Sequence, residues 1–154
     1  MKGQVKPIPK GYHSVTPYLI VNRAADALAF YGKAFGATEV LRMPGPDNTI
    51  MHAEIQVGDS RIMLADENPT MKVRSPHSLK GTTASLMVYV ENVDTFFAQA
   101  VKAGGTAVRE VQTMFWGDRC GTLADPFGHV WELATHVEDV SAEEMHHRMM
   151  SGAH

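Results

Sequence analysis

Three small groups of residues in this chain carry side chains able to do chemistry. His52 and Glu54 stand two apart in TIMHAEIQV (49–57), and Glu132 and His136 stand four apart in HVWELATH (129–136). Imidazole with carboxylate can hold a divalent ion or pass a proton. Phe115, Trp116, Asp118 and Arg119 crowd into FWGDR (115–119). There Trp116 offers a flat stacking surface, and Arg119 offers a bidentate donor for a carboxylate or phosphate. Each group also has a plainer reading. An i, i+2 His–Glu pair arises by chance, Glu132 can be satisfied by a neighbouring donor, and Trp116, Asp118 and Arg119 can simply fold a turn.

The elements that must position these residues repeat. PYLIV (17–21), Asn22, RAADALAFYGKAF and Gly36 are followed in the second half by LMVYV (86–90), Glu91, Asn92, VDTFFAQAVKA, Gly104 and Gly105. Each copy reads as an apolar strand, an Asn suited to N-capping, an amphipathic helix and a terminating Gly. Ala24, Ala27, Leu28, Tyr31 and Phe35 form one apolar stripe at helical spacing, and Val93, Phe96, Phe97, Ala100 and Val101 form another. Strand-like segments follow each helix: 37–43, 49–57 and 60–66, then 106–114, 119–125 and 129–135. The order is β-α-β-β-β, twice. The predicted fold class is α+β, two βαβββ repeats forming curved mixed sheets around a central cavity.

The predicted organisation is an N-terminal extension (1–13), a first unit (14–66), a linker or lid loop (67–83), a second unit (84–136) and a tail (137–154). In the tail, Ser141 and Glu144 have capping-box spacing before a short helix. Alternation along the strands turns Tyr18, Met87 and Tyr89 toward the cavity, where they line it or fill the space between sheets. On TIMHAEIQV the apolar face of Ala53, Ile55 and Val57 should meet the helix, leaving His52, Glu54 and Gln56 on the other side.

Composition narrows the function classes. A net charge of −3 without a basic block argues against nucleic acid. No apolar run approaches a membrane span, and the first 14 residues lack the apolar region of a signal peptide. One cysteine, Cys120, allows no intrachain disulfide and fits a reducing, cytoplasmic setting.

The repeat, together with DPFGHVWELATH (125–136) and MFWGDRCG (114–121), resembles the vicinal-oxygen-chelate superfamily, which includes glyoxalase I, bleomycin-resistance proteins and extradiol dioxygenases. The PhnB-like branch is the most similar, through PYL, AFYxxAFGA, HAE, MLAD, FWGDR and DPFGHxW segments across residues 14–140. The resemblance implies the glyoxalase-like fold and a homodimer. It also implies four metal-ligand positions, which fall here on Thr16, Met63, Ser85 and Glu132. Thr and Ser are poor ligands for transition metals and Met suits only soft ions, so one acid remains.

The expected function is therefore binding of a small molecule in the cavity without metal or cofactor. Tyr18, His52, Glu54, Tyr89, Trp116, Arg119 and Glu132 are the candidate contacts. A glyoxalase-type lyase, isomerase or dioxygenase built on His52, Glu54, Glu132 and His136, and a dimeric scaffold without a dedicated ligand, are the alternatives.

Overall fold

The computed structural model describes residues 5–152; residues 1–4 of the N-terminal extension and 153–154 of the tail lie outside the described residues. The chain forms two compact units, the first ending at Lys80 and the second beginning at Gly81.

The first unit runs β1 (Tyr18–Val21), α1 (Ala24–Phe35), β2 (Thr38–Pro44), β3 (Ile50–Val57), β4 (Ser60–Asp66) and the single turn α2 (Pro76–Leu79). Its sheet has the order β1-β4-β3-β2, with β1 parallel to β4 and the rest antiparallel. The second unit runs β5 (Ser85–Tyr89), α3 (Val93–Lys102), β6 (Thr106–Thr113), β7 (Asp118–Ala124), β8 (Val130–His136) and α4 (Ala142–Met150). Its sheet repeats the pattern as β5-β8-β7-β6. Among the described residues no helix is long and apolar enough to cross a membrane.

The helices α1 and α3 each cover one face of their own sheet. Ala24, Ala27, Leu28, Tyr31, Ala34 and Phe35 of α1 are buried, as are Leu19, Val21, Ala53, Ile55 and Leu64 of the strands. In the second unit Val93, Phe97 and Ala100 are buried along with Leu123, Trp131 and Leu133. Burying this apolar surface is the main stabilising term for both units.

The helix starts depart from the sequence reading in one copy. Asn92 caps α3, its Oδ1 accepting the Thr95 N–H at 3.1 Å. Asn22 does not cap α1; the N-cap position belongs to Arg23, whose side chain makes no capping bond. Both helices are also tethered from the last strand of their unit. Asp66 Oδ1 accepts the Ala24 N–H at 2.8 Å, and Thr135 Oγ1 accepts the Val93 N–H at 2.9 Å. Asp66 and Thr135 occupy the same place in the two repeats, so a helix donor is satisfied across the sheet. In the tail, Ser141 Oγ accepts the Glu144 N–H at 3.2 Å and opens α4.

One buried acid organises the turn before β8. Asp125 Oδ1 accepts the Phe127 and His129 N–H groups at 2.9 Å each, and Oδ2 accepts the Trp131 indole N–H at 2.9 Å. Asp125→Ala strands three donors, two of them buried. It should lower unfolding stability by about 3 kcal/mol, read as a reduced urea midpoint, whereas a midpoint within error of the parent would remove Asp125 from this role.

Candidate functional site

The face of each sheet turned away from its helix carries the polar groups. In the first unit, pairing sets Tyr18 beside Met63, Met63 beside Glu54, and Glu54 beside Leu41. In the second unit, the equivalent row is Met87, Glu132, Thr122 and Arg109. The register thus matches Met63 with Glu132, as the repeat alignment does, since each lies directly across from the first strand of its unit.

Glu132 is held by its own sheet. Its Oε2 accepts Thr122 Oγ1–H at 2.8 Å and an Arg109 Nη2–H at 3.1 Å. Arg109 lies across β7, and its Nη1 also donates to the Cys120 carbonyl at 3.1 Å. The pair is only partly exposed, at 33% for Arg109 and 25% for Glu132, so water screens it less than a surface ion pair.

In the first unit the same face holds a chain of side chains. The Tyr18 hydroxyl lies 2.8 Å from His52 Nδ1, His52 Nε2 lies 3.1 Å from Glu54 Oε1, and Glu54 Oε2 accepts the hydroxyl of Tyr12. Tyr18 is half exposed, while His52 and Glu54 are largely sheltered.

A second chain ends β8. The Tyr89 hydroxyl donates to Asp118 Oδ2 at 2.9 Å, and Asp118 Oδ1 lies 2.8 Å from His136 Nδ1. His136 Nε2 reaches Asp139 at 2.9 Å. Asp118 is buried, and its carboxylate raises the Tyr89 phenol above its usual range. The neighbouring Gly117 has φ +95°, and a Cβ there would stand 2.0 Å from the Glu138 carbonyl oxygen. Only glycine fits that contact between the 114–117 turn and the tail. Arg148 of α4 braces the same junction, donating to the Phe115 carbonyl at 3.3 Å and to both carboxylate oxygens of Glu138.

The candidate contacts therefore divide. Tyr18, His52 and Glu54 meet on the open face of the first sheet; Tyr89 and Glu132 lie on that of the second. Trp116 sits half-buried in the turn after β6, edge-on to Phe115 with ring centroids 5.0 Å apart. Arg119 departs from the reading as a ligand donor. It alternates with Cys120 onto the helix side, where its guanidinium is forked onto Asp94 of α3 at 2.6 and 2.7 Å. Sequence reasoning missed Arg109, Thr122 and Tyr12. Thr122 shares the two-residue alternation of β7, which was the available signal. Arg109 sits between two register shifts in β6 that break that alternation.

The donor set does not fit a divalent ion. Met63 brings a thioether, Ser85 a hydroxyl, and Glu132 is already shared between a guanidinium and a hydroxyl. Thr16 precedes β1 and brings another hydroxyl. Among the described residues no group of three or more His, Cys, Asp or Glu side chains is arranged to hold an ion.

A sequence profile of the Glyoxalase/Bleomycin resistance protein/Dioxygenase superfamily matches residues 11–133. The chain belongs to that superfamily. An uncharacterized protein of Mycobacterium bovis is 41% identical over 141 residues, covering 90% of this chain and 93% of the relative. Protein YjdN of Escherichia coli is 27% identical, over 77% of this chain and 92% of its own length. Among solved structures, TioX from Micromonospora sp. ML1 superposes with a TM-score of 0.66 at 27% identity, covering 81% of this chain and 99% of that one. The PhnB protein from Bacillus cereus shares the fold, with a TM-score of 0.61 at 21% identity over 80% and 99% of the two chains. The glyoxalase-like fold and the superfamily agree with the resemblance carried by the repeat together with the 114–121 and 125–136 motifs.

The His136 chain predicts a pH dependence. Asp118 first, then Asp139, raise the imidazole above its ordinary 6.5. A raised folded value means that protonated His136 stabilises the fold fully below about pH 6.5, and that this contribution is lost as pH climbs through the raised value. Denaturant midpoints across this range should fall with rising pH in the parent and fall less in His136→Gln. Equal slopes in the two proteins would refute the linkage.

Proposed function

We propose that this protein binds a small organic molecule on the open sheet faces without the help of a metal. The observation that carries the reading is the commitment of Glu132 to Arg109 and Thr122. It leaves the second unit's one carboxylate at a superfamily ligand position neutralised by a neighbouring cation. The surroundings suit an organic ligand. Tyr18, Met43 and Leu41 are exposed on the first face, and Met87 and Tyr89 on the second, beside a few fixed polar groups. Such a mixture, apolar with sparse oriented donors, is the usual make-up of a small-molecule site. Homodimerisation and a reducing, cytoplasmic setting for the free thiol of Cys120 belong to the same reading.

A catalytic reading has one observation in its favour. The Tyr18–His52–Glu54 chain has the geometry of an acid–base relay, with a carboxylate orienting an imidazole whose other nitrogen meets an accessible hydroxyl. It would move protons on a bound molecule. Solvent deuterium entering a C–H bond of a bound compound, and failing to enter with His52→Ala, would support it.

The binding reading is tested by thermal shift of the full chain in EDTA against aromatic and hydroxylated acids. A ligand at a hundred times its Kd stabilises by about 2.7 kcal/mol, a rise of roughly 5–10 °C at this size. The expected result is a rise unaffected by EDTA and reduced by Tyr18→Ala or Tyr89→Ala. Stabilisation that appears only with an added divalent ion would overturn the metal-free reading.

A further inference from the structure

Tyr12 lies on the open face of the first sheet although it belongs to no strand. From Val5 to Val15 every residue is exposed except Tyr12. Its hydroxyl donates to Glu54, and its ring lies under the Arg61 guanidinium, with the guanidinium carbon 5.7 Å from the ring centroid. Gly11, at φ +87°, brings the backbone against the same guanidinium; a Cβ there would stand 3.4 Å from Nη2. Within the segment, Val5, Lys6, Ile8, Pro9, Lys10 and Tyr12 line a cavity of about 640 Å³.

The closed arrangement has a defect. Arg61 Nε and Nη1 are buried and have no hydrogen-bond acceptor among the described residues. Burying charged donors without acceptors opposes closure. A segment whose residues are exposed except for Tyr12 also opens at low cost. Meanwhile Glu54 offers an acceptor and Arg61 offers a cation for the face of an aromatic ring.

We propose that Tyr12 is a built-in stand-in for the ligand. The first sheet face is a subsite for a phenol bearing an anionic group, and residues 5–13 are a strap that the phenol displaces. The ligand hydroxyl replaces that of Tyr12 on Glu54, its ring takes the place under Arg61, and its anionic oxygen supplies the acceptor that Arg61 lacks. Glu54 accepts from the Tyr12 hydroxyl, so a phenol taking that place donates its own O–H. The inference rests on the reading that the open faces bind small molecules.

The probe is 4-hydroxyphenylacetate, a tyrosine side chain ending in a carboxylate, with phenylacetate as the control. Titration calorimetry compares the full-length parent, Tyr12→Ala, Tyr12→Phe and Tyr12→Ala with Glu54→Leu, each shown folded by circular dichroism. A strap closed nine-tenths of the time weakens apparent affinity about tenfold. Tyr12→Ala should therefore bind roughly tenfold tighter than the parent, with Tyr12→Phe between them. Glu54→Leu should erase the preference for 4-hydroxyphenylacetate over phenylacetate. Equal or weaker binding by Tyr12→Ala, or none, would overturn the stand-in. If other aromatic acids still stabilise the parent, the broader binding reading survives; if no compound does, both fall.

Discussion

The contact between Arg109 and Glu132 sets what the second unit can do. A carboxylate in the middle of a sheet face is an obvious ligand for a cation, and the protein supplies that cation from β6, reaching across β7. The guanidinium satisfies one carboxylate oxygen, and Thr122 donates to the same atom. A metal would have to displace a fixed positive charge and then find further ligands among hydroxyls and apolar side chains. Removing one partner of a half-sheltered ion pair leaves the other charge short of solvation. The pair therefore constrains its surroundings as well as its own chemistry.

The two repeats solve one structural problem and then diverge. In both, a polar residue at the end of the last strand holds the first N–H of the helix, Asp66 in one unit and Thr135 in the other. In both, the helix covers one sheet face and leaves the other for polar work. On that open face the first unit builds a hydroxyl–imidazole–carboxylate chain, while the second builds a guanidinium–carboxylate–hydroxyl cluster. The common frame is fixed by packing, and the divergence sits at alternate strand positions that face away from the core. A superfamily fold alone does not assign chemistry, because chemistry resides in those outward positions.

Much of the frame was legible in the sequence. All eight strands fall within a residue or so of the expected segments, because apolar alternation and the Gly–Asp and Pro–Phe–Gly turns leave little freedom of register. The equivalence of Met63 and Glu132 followed from the repeat and agrees with strand pairing. What was not legible has physical causes. Arg109 sits where β6 slips register, so its side chain could not be assigned by counting. The caps from Asp66 and Thr135 arrive from 42 residues away, beyond any local rule. Arg119 alternates with Thr122 along β7 onto the helix side, where only the fold brings Asp94 to its guanidinium. Tyr12 lies outside every periodic element, and only the fold brings it to Glu54.

Anomalous diffraction tests the central claim most directly. Crystals grown separately with excess Zn²⁺, Ni²⁺ and Mn²⁺ would be measured at each absorption edge. The account predicts no anomalous peak at the Glu132 carboxylate, with the Arg109 guanidinium still hydrogen-bonded to it. A peak coordinated by Glu132, with Arg109 swung aside, would contradict it and return the second unit to metal chemistry.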